Sequence, residues 1–171
     1  MPNLRESPDP ADPPAPDAPA TPEELDALDR QIDEWLQDLR EDNPVIDVVE
    51  RGDPGEHRWY ARLIGDERGP FTIWLTLRQR SLHHETYVMP APIERHGELY
   101  EHLLRRNARL QAMAFAIGPE DAIYLVGQVP FDEVDEARLD QLIGSVWAYV
   151  EQFFGPAMRI GYGSVFRGRR S

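Results

Sequence analysis

The run Met113-Ala114-Phe115-Ala116-Ile117, the break Gly118-Pro119-Glu120-Asp121 and the run Ala122-Ile123-Tyr124-Leu125-Val126-Gly127-Gln128-Val129-Pro130 decide the fold. Two short apolar runs around four turn-forming residues predict a β-hairpin. Pro119 pre-sets φ in the turn, and Gly118 ends the first run. The hairpin holds no nucleophile, histidine or cysteine, and its acids sit at the tip. It is scaffold, and the flanking segments must pack on it.

Upstream of the hairpin, Ile93, Leu99, Tyr100, Leu103, Leu104 and Asn107 fit an amphipathic helix, with Glu94, Glu98, Glu101, Arg105, Arg106 and Arg109 outside. Glu101 and Arg105 are spaced for an i,i+4 pair. Downstream, Asp132 is the expected helix cap, with Glu133 and Asp135 suiting the helix dipole. Leu139, Leu142, Ile143, Val146, Trp147, Val150, Phe153 and Phe154 form a broad apolar stripe. Gly155-Pro156 is the expected stop, followed by an extended segment to Tyr162 and a short basic tail over 163–171.

Nearer the start, Thr21-Pro22-Glu23-Glu24 combines a cap, a first-turn proline and a capping-box glutamate. Leu25, Leu28, Ile32, Trp35 and Leu39, widened by Leu36, make one helix face, and Asn43-Pro44 ends it. Four strands are expected next: Val45 to Glu50, His57 to Ile64, Phe71 to Leu77 and Leu82 to Met89. Trp59, Ala61 and Leu63 share one face of the second. Phe71, Ile73, Leu75 and Leu77 share a face of the third, with Thr72, Trp74 and Thr76 opposite. Close spacing and tight turns predict an antiparallel meander.

Composition narrows the chemistry. The 171 residues suit one domain plus an appendage. With no cysteine, disulfides and thiolate sites are impossible, and with no lysine, Schiff-base chemistry is too. Residues 1–43 carry 13 acids and 3 arginines, a balance of −10 out of the total −13. The remainder is close to neutral, and neither part suits a general nucleic-acid or anionic-membrane binder. Residues 1–20, rich in Pro, Ala and Asp, read as a disordered acidic tail. No apolar run reaches the ~18 residues of a membrane helix, and no signal-like start is present, so a cytoplasmic protein is expected.

His83-His84-Glu85 is the most ligand-like cluster, but adjacent strand residues face opposite ways, leaving too few ligands for zinc. No Gly-x-Ser-x-Gly elbow or dinucleotide-binding glycine pattern occurs. The chain therefore reads as a non-enzyme without metal or cofactor. Candidate partner-binding residues are the strand aromatics Trp59, Trp74 and Tyr87, with Arg78 and Arg80 as a polar rim. The alternative is a small-molecule or phospho-ligand sensor using the edge Arg105, Arg106 and Arg109.

Phe71-Thr72-Ile73-Trp74-Leu75-Thr76-Leu77, Leu103-Leu104-Arg105-Arg106-Asn107, the hairpin through Val129-Pro130, and Leu139-Asp140-Gln141-Leu142-Ile143 carry a resemblance. Over residues 21–162 the chain resembles the YbjN family, described as "putative bacterial sensory transduction regulator". The resemblance implies an α+β fold like that of type III secretion chaperones: a curved antiparallel sheet with helices packed on it, ordered α-β-β-β-β-α-β-β-α. It also implies a helper or regulator that binds an unidentified protein, with a homodimer as an option. The family-like middle helix, which would carry a dimer contact, corresponds to Ile93 to Asn107. This chain departs from the chaperone pattern in having four strands rather than three before that helix, and in the charge on its outer side.

Overall fold

The computed structural model describes residues 18–168. The tail expected over 1–20 lies mostly outside that range, as do the last arginines of the basic end. Ala20, assigned to that tail, is buried and donates its N–H to Gln79 O at 2.8 Å, so domain contacts begin before Thr21.

Helix α1 (Pro22–Asp42) opens with the expected capping box. Glu24 N donates to Thr21 Oγ1 at 3.2 Å, and Thr21 N donates to Glu24 Oε2 at 2.8 Å. Such a cap contributes about 1 kcal/mol by satisfying donors the helix cannot. Leu28, Ile32, Leu36 and Leu39 are buried, and Leu25 and Trp35 pack at the margin. Asn43 then closes the helix by donating its N–H to Leu39 O at 2.9 Å, and its side chain accepts from Val45 N at 3.1 Å.

Six antiparallel strands follow the order β1-β2-β3-β4-β6-β5. They are β1 (Ile46–Arg51), β2 (Arg58–Ile64), β3 (Pro70–Leu77), β4 (Ser81–Met89), β5 (Met113–Ile117) and β6 (Ile123–Pro130). All four strands expected before the middle helix are present. The hairpin β5–β6 enters with β6 against β4, leaving β5 at the edge. One face reads across the strands as Trp59–Leu75–His84 and Ala61–Ile73–Thr86–Leu125–Phe115, all of it buried and apolar except His84 and Thr86. The core cluster joins these strand residues to α1, α2 and α3, so all three long helices cover this face. An antiparallel sheet packed on one side leaves the alternate residues on the other side for solvent.

Helix α2 (His96–Asn107) starts later than the expected Ile93, because Arg95 at its cap takes a left-handed φ of 51°. Ile93 is therefore outside the helix and exposed. Leu99 and Leu103 are buried as expected, but Leu104 turns outward. Asn107 clamps β5 to the helix end: its Oδ1 accepts from Phe115 N at 2.7 Å, and its Nδ2 donates to Phe115 O at 3.1 Å.

Helix α3 (Glu136–Gly161) differs from expectation at both ends. Its cap is Asp135, which accepts from Arg138 N at 2.7 Å; Asp132 lies instead in a single 3-10 turn, Phe131–Glu133. Gly155-Pro156 does not stop the helix. An interior proline loses one backbone donor and costs roughly 3 kcal/mol. The turns beyond it are held by tertiary packing: Ala157 and Gly161 are buried, and Gly161 O accepts from Ile93 N at 3.1 Å and Glu94 N at 3.3 Å. A short helix α4 (Gly163–Gly168) then occupies part of the expected basic tail. Among the described residues, no helix is long and apolar enough to cross a membrane.

Candidate functional site: the open sheet face

Strand alternation sends Arg58, Tyr60 and Arg62 of β2, Thr72, Trp74 and Thr76 of β3, and His83, Glu85 and Tyr87 of β4 to the uncovered face. Register aligns them in rows. One runs Tyr60–Trp74–Glu85–Val126, and its neighbour runs Arg58–Thr76–His83–Gln128. Trp74 is 43% exposed and meets Tyr60 edge-on at 6.1 Å between ring centroids. Tyr87, also exposed, meets Tyr124 edge-on at 5.5 Å. Rings fixed this way lose little side-chain freedom when a ligand lands on them.

An open cleft of about 510 Å³ lies over these rows, with Trp74, Arg58, Arg78, His83 and Glu85 in its lining. A second, of about 590 Å³, lies at the β3–β4 turn and includes Arg78, Arg80 and Ser81; the two share Arg78, His83 and Gln128. Arg58 Nε donates to Thr76 Oγ1 at 3.3 Å, which holds that guanidinium along the strand. Burial, and then the neighbouring charge of Arg78, lowers the His83 pKa and so favours its neutral form, and the charged side chains of the cleft are Arg58, Arg78 and Glu85.

Of the sequence candidates, Trp74, Arg78 and Arg80 therefore gather around two adjoining clefts. Tyr87 shares the face but lines neither. Trp59 is a correction: it is 0% exposed, on the opposite face, donating its indole N–H to Asp33 Oδ1 at 3.0 Å with the Arg51 guanidinium 5.0 Å over the ring. It shares a face with Ala61 and Leu63, and such a face is core, so no partner can reach it. The arginine edge on α2 is dispersed. Arg105 is bound to Glu101 in the expected i,i+4 pair, Arg106 is half-buried, and Arg109 is exposed beyond the helix. His83, His84 and Glu85 point alternately out, in and out, and among the described residues no three acidic or histidine groups converge on a metal position.

A second surface escapes sequence reading. Between α2 and β5 lies a groove of about 350 Å³ lined by Tyr100, Leu103, Leu104, Phe115, Ile117 and Ile123. Leu104 is 67% exposed beside it, so the outer side of α2 is not uniformly charged as expected. The sequence signal was available: Leu104 follows Leu103 and cannot share the Leu99–Leu103 stripe.

Comparison with known proteins agrees with this architecture. A family model for YbjN, described as "putative bacterial sensory transduction regulator", matches residues 28–157. The uncharacterized protein ML2442 of Mycobacterium leprae is 32% identical over 107 residues, 63% of this chain and 58% of that protein. The uncharacterized protein Rv0487 of Mycobacterium tuberculosis is 31% identical over 104 residues, 61% of this chain and 57% of that one. The match thus spans little more than half the length of these relatives. A chain of the HopA1–SchA chaperone–effector complex has a TM-score of 0.52 at 12% identity, covering 75% of this chain and 97% of its own, a likeness of fold alone.

Proposed function

This chain belongs to the YbjN family, and we propose that it is a non-enzymatic protein-binding module, a regulator or chaperone-like helper that holds a partner's extended segment across the open sheet face. The observation that carries this reading is the exposure of Trp74 within a fixed aromatic row, directly beside clefts edged by Arg58, Arg78 and Arg80. An apolar or aromatic partner side chain would lie on Trp74, and partner carboxylates would pair with Arg78 and Arg58. The fold it shares with a chain of a chaperone–effector complex is in keeping with such a role.

The test is recovery of a stoichiometric partner on the tagged full chain from its native cell. Trp74→Ala and Arg78→Glu are expected to lose the partner while keeping the wild-type melting temperature. Retention of the partner by both variants would overturn the assignment to this face.

The α2–β5 groove favours a second reading, a homodimer in which two copies bury Leu104 and Ile117. Leu104→Glu would then reduce the solution mass to that of a monomer, measured by light scattering. A wild-type monomer at all accessible concentrations would remove this reading.

A further inference from the structure

On the covered side of the sheet, between β4, the turn before β5 and the first turns of α3, lies a further cavity of about 140 Å³, which shares His84 with the cleft over the open face. Its polar lining consists of His84, Gln111, Arg138, Gln141 and Ser145, together with the backbone at Ala112. This lining includes one permanent cation and no carboxylate. Gln111 and Gln141 are exposed, so the cavity communicates with solvent.

One nitrogen on each of two lining residues lacks a partner. His84 is 3% exposed and its Nδ1 is buried without a hydrogen bond; Arg138 Nε is also buried without one. Buried polar groups are almost always satisfied, and each one left unpaired costs about 1–3 kcal/mol. Arg138 is not simply loose, because another of its nitrogens, Nη1, donates to Gln141 Oε1 at 2.9 Å.

The backbone is also specially shaped here. Ala112 holds a left-handed φ of 56°, a conformation that costs a non-glycine residue about 1 kcal/mol or more. Across from it, a Cβ at Gly127 would lie 2.4 Å from Ala112 O and 2.5 Å from His84 Nε2. Gly127 thus leaves room for the His84 ring and the Ala112 carbonyl, and a strained alanine and two unpaired nitrogens belong to residues that line one cavity.

We propose that this cavity binds a small anion bearing a carboxylate or an inorganic oxyanion. Arg138 supplies the charge and an Nε–H donor, His84 supplies a ring N–H, and Ser145 and Gln141 complete the polar shell. Burial keeps the imidazole neutral, so it acts as an oriented hydrogen-bonding group while Arg138 carries the charge. The available volume suits an inorganic phosphate or a short carboxylate and excludes a nucleotide.

The experiment follows the histidine ring resonances of the full chain by NMR during titration with sodium phosphate, sodium sulfate or sodium acetate, against sodium chloride at matched ionic strength. The His84 signals are assigned by their absence in His84→Asn. A saturable shift of these signals is expected with at least one oxyanion and none with chloride. Saturation by phosphate or sulfate identifies an inorganic oxyanion, and saturation by acetate a carboxylate. Arg138→Gln is expected to weaken binding at least tenfold, with partial recovery in Arg138→Lys, whereas Arg105→Gln leaves it unchanged. Absence of any saturable His84 shift in the wild type overturns the proposal, leaving a cavity that holds water only. So does binding of equal strength in a folded Arg138→Gln; should that variant not fold, the wild-type titration and Arg138→Lys still decide.

Discussion

Gly127 on β6 lies opposite His84 on β4, so close that a Cβ at Gly127 would stand 2.5 Å from His84 Nε2. The buried imidazole occupies the space a side chain would take. Gly127→Ala should therefore destabilise the protein by about 1–3 kcal/mol, the usual cost of overpacking a core. Gly144 provides the contrast, because it lies exposed within α3 and an added Cβ there meets nothing within 4 Å. Gly144→Ala should stabilise by roughly 0.5–1 kcal/mol through helix propensity. Urea unfolding of the two variants checks both signs.

Acid should weaken the fold through His84. Burial, with a smaller contribution from neighbouring His83, lowers its pKa from 6.5 to about 4. Arg138 of α3 lines the same cavity as His84. Between these pH values the unfolded chain binds a proton that the folded chain does not, so stability falls as pH drops from about 6.5 toward 4. The loss from this one group is on the order of 3 kcal/mol at most. His83 and His102 are lowered too and act in the same direction. In His84→Asn the slope of stability against pH over this window should flatten; an unchanged slope would assign the acid sensitivity elsewhere.

Asn107 imitates a strand neighbour for Phe115 by both donating to and accepting from its backbone. Asn107→Ala leaves an edge-strand N–H and C=O without these partners, and a loss of about 1–3 kcal/mol is expected. Hydrogen exchange should show the effect concentrated in β5 and the end of α2, sparing β2 and β3.

Much of this architecture could be read from the chain. The capping box at Thr21 and Glu24, the alternation through Phe71, Ile73 and Leu75, and the hairpin around Pro119 are local patterns that the structure preserves. Pro156 misled because local propensity opposes a helix there, while the burial of Ala157 and the bonds from Ile93 and Glu94 to the Gly161 carbonyl sustain it. Trp59 could have been recognised as core from its shared face with Ala61 and Leu63. Trp74 was legible as an outward residue because the same alternation, one strand on, sets it opposite Leu75.

Features made by distant segments were not accessible in this way. Glu151 accepts N–H donors from Asp66, Glu67 and Arg68 at 2.7, 2.7 and 3.1 Å, across sequence separations of 83 to 85 residues. Nothing in either segment announces that pairing. The same is true of the cavity joining His84 to Arg138, where spacing along the chain carries no information about convergence.

Photo-crosslinking in the native cell tests the central claim most directly. A photoreactive benzoylphenylalanine replaces Trp74 on the open face, and in separate chains Leu104 beside the α2–β5 groove or exposed Arg30 on α1. A discrete protein adduct at position 74, reduced by Arg78→Glu and absent at position 30, is the predicted result. No adduct at position 74, or adducts of equal yield at 74 and 30, would contradict a partner held on the sheet face.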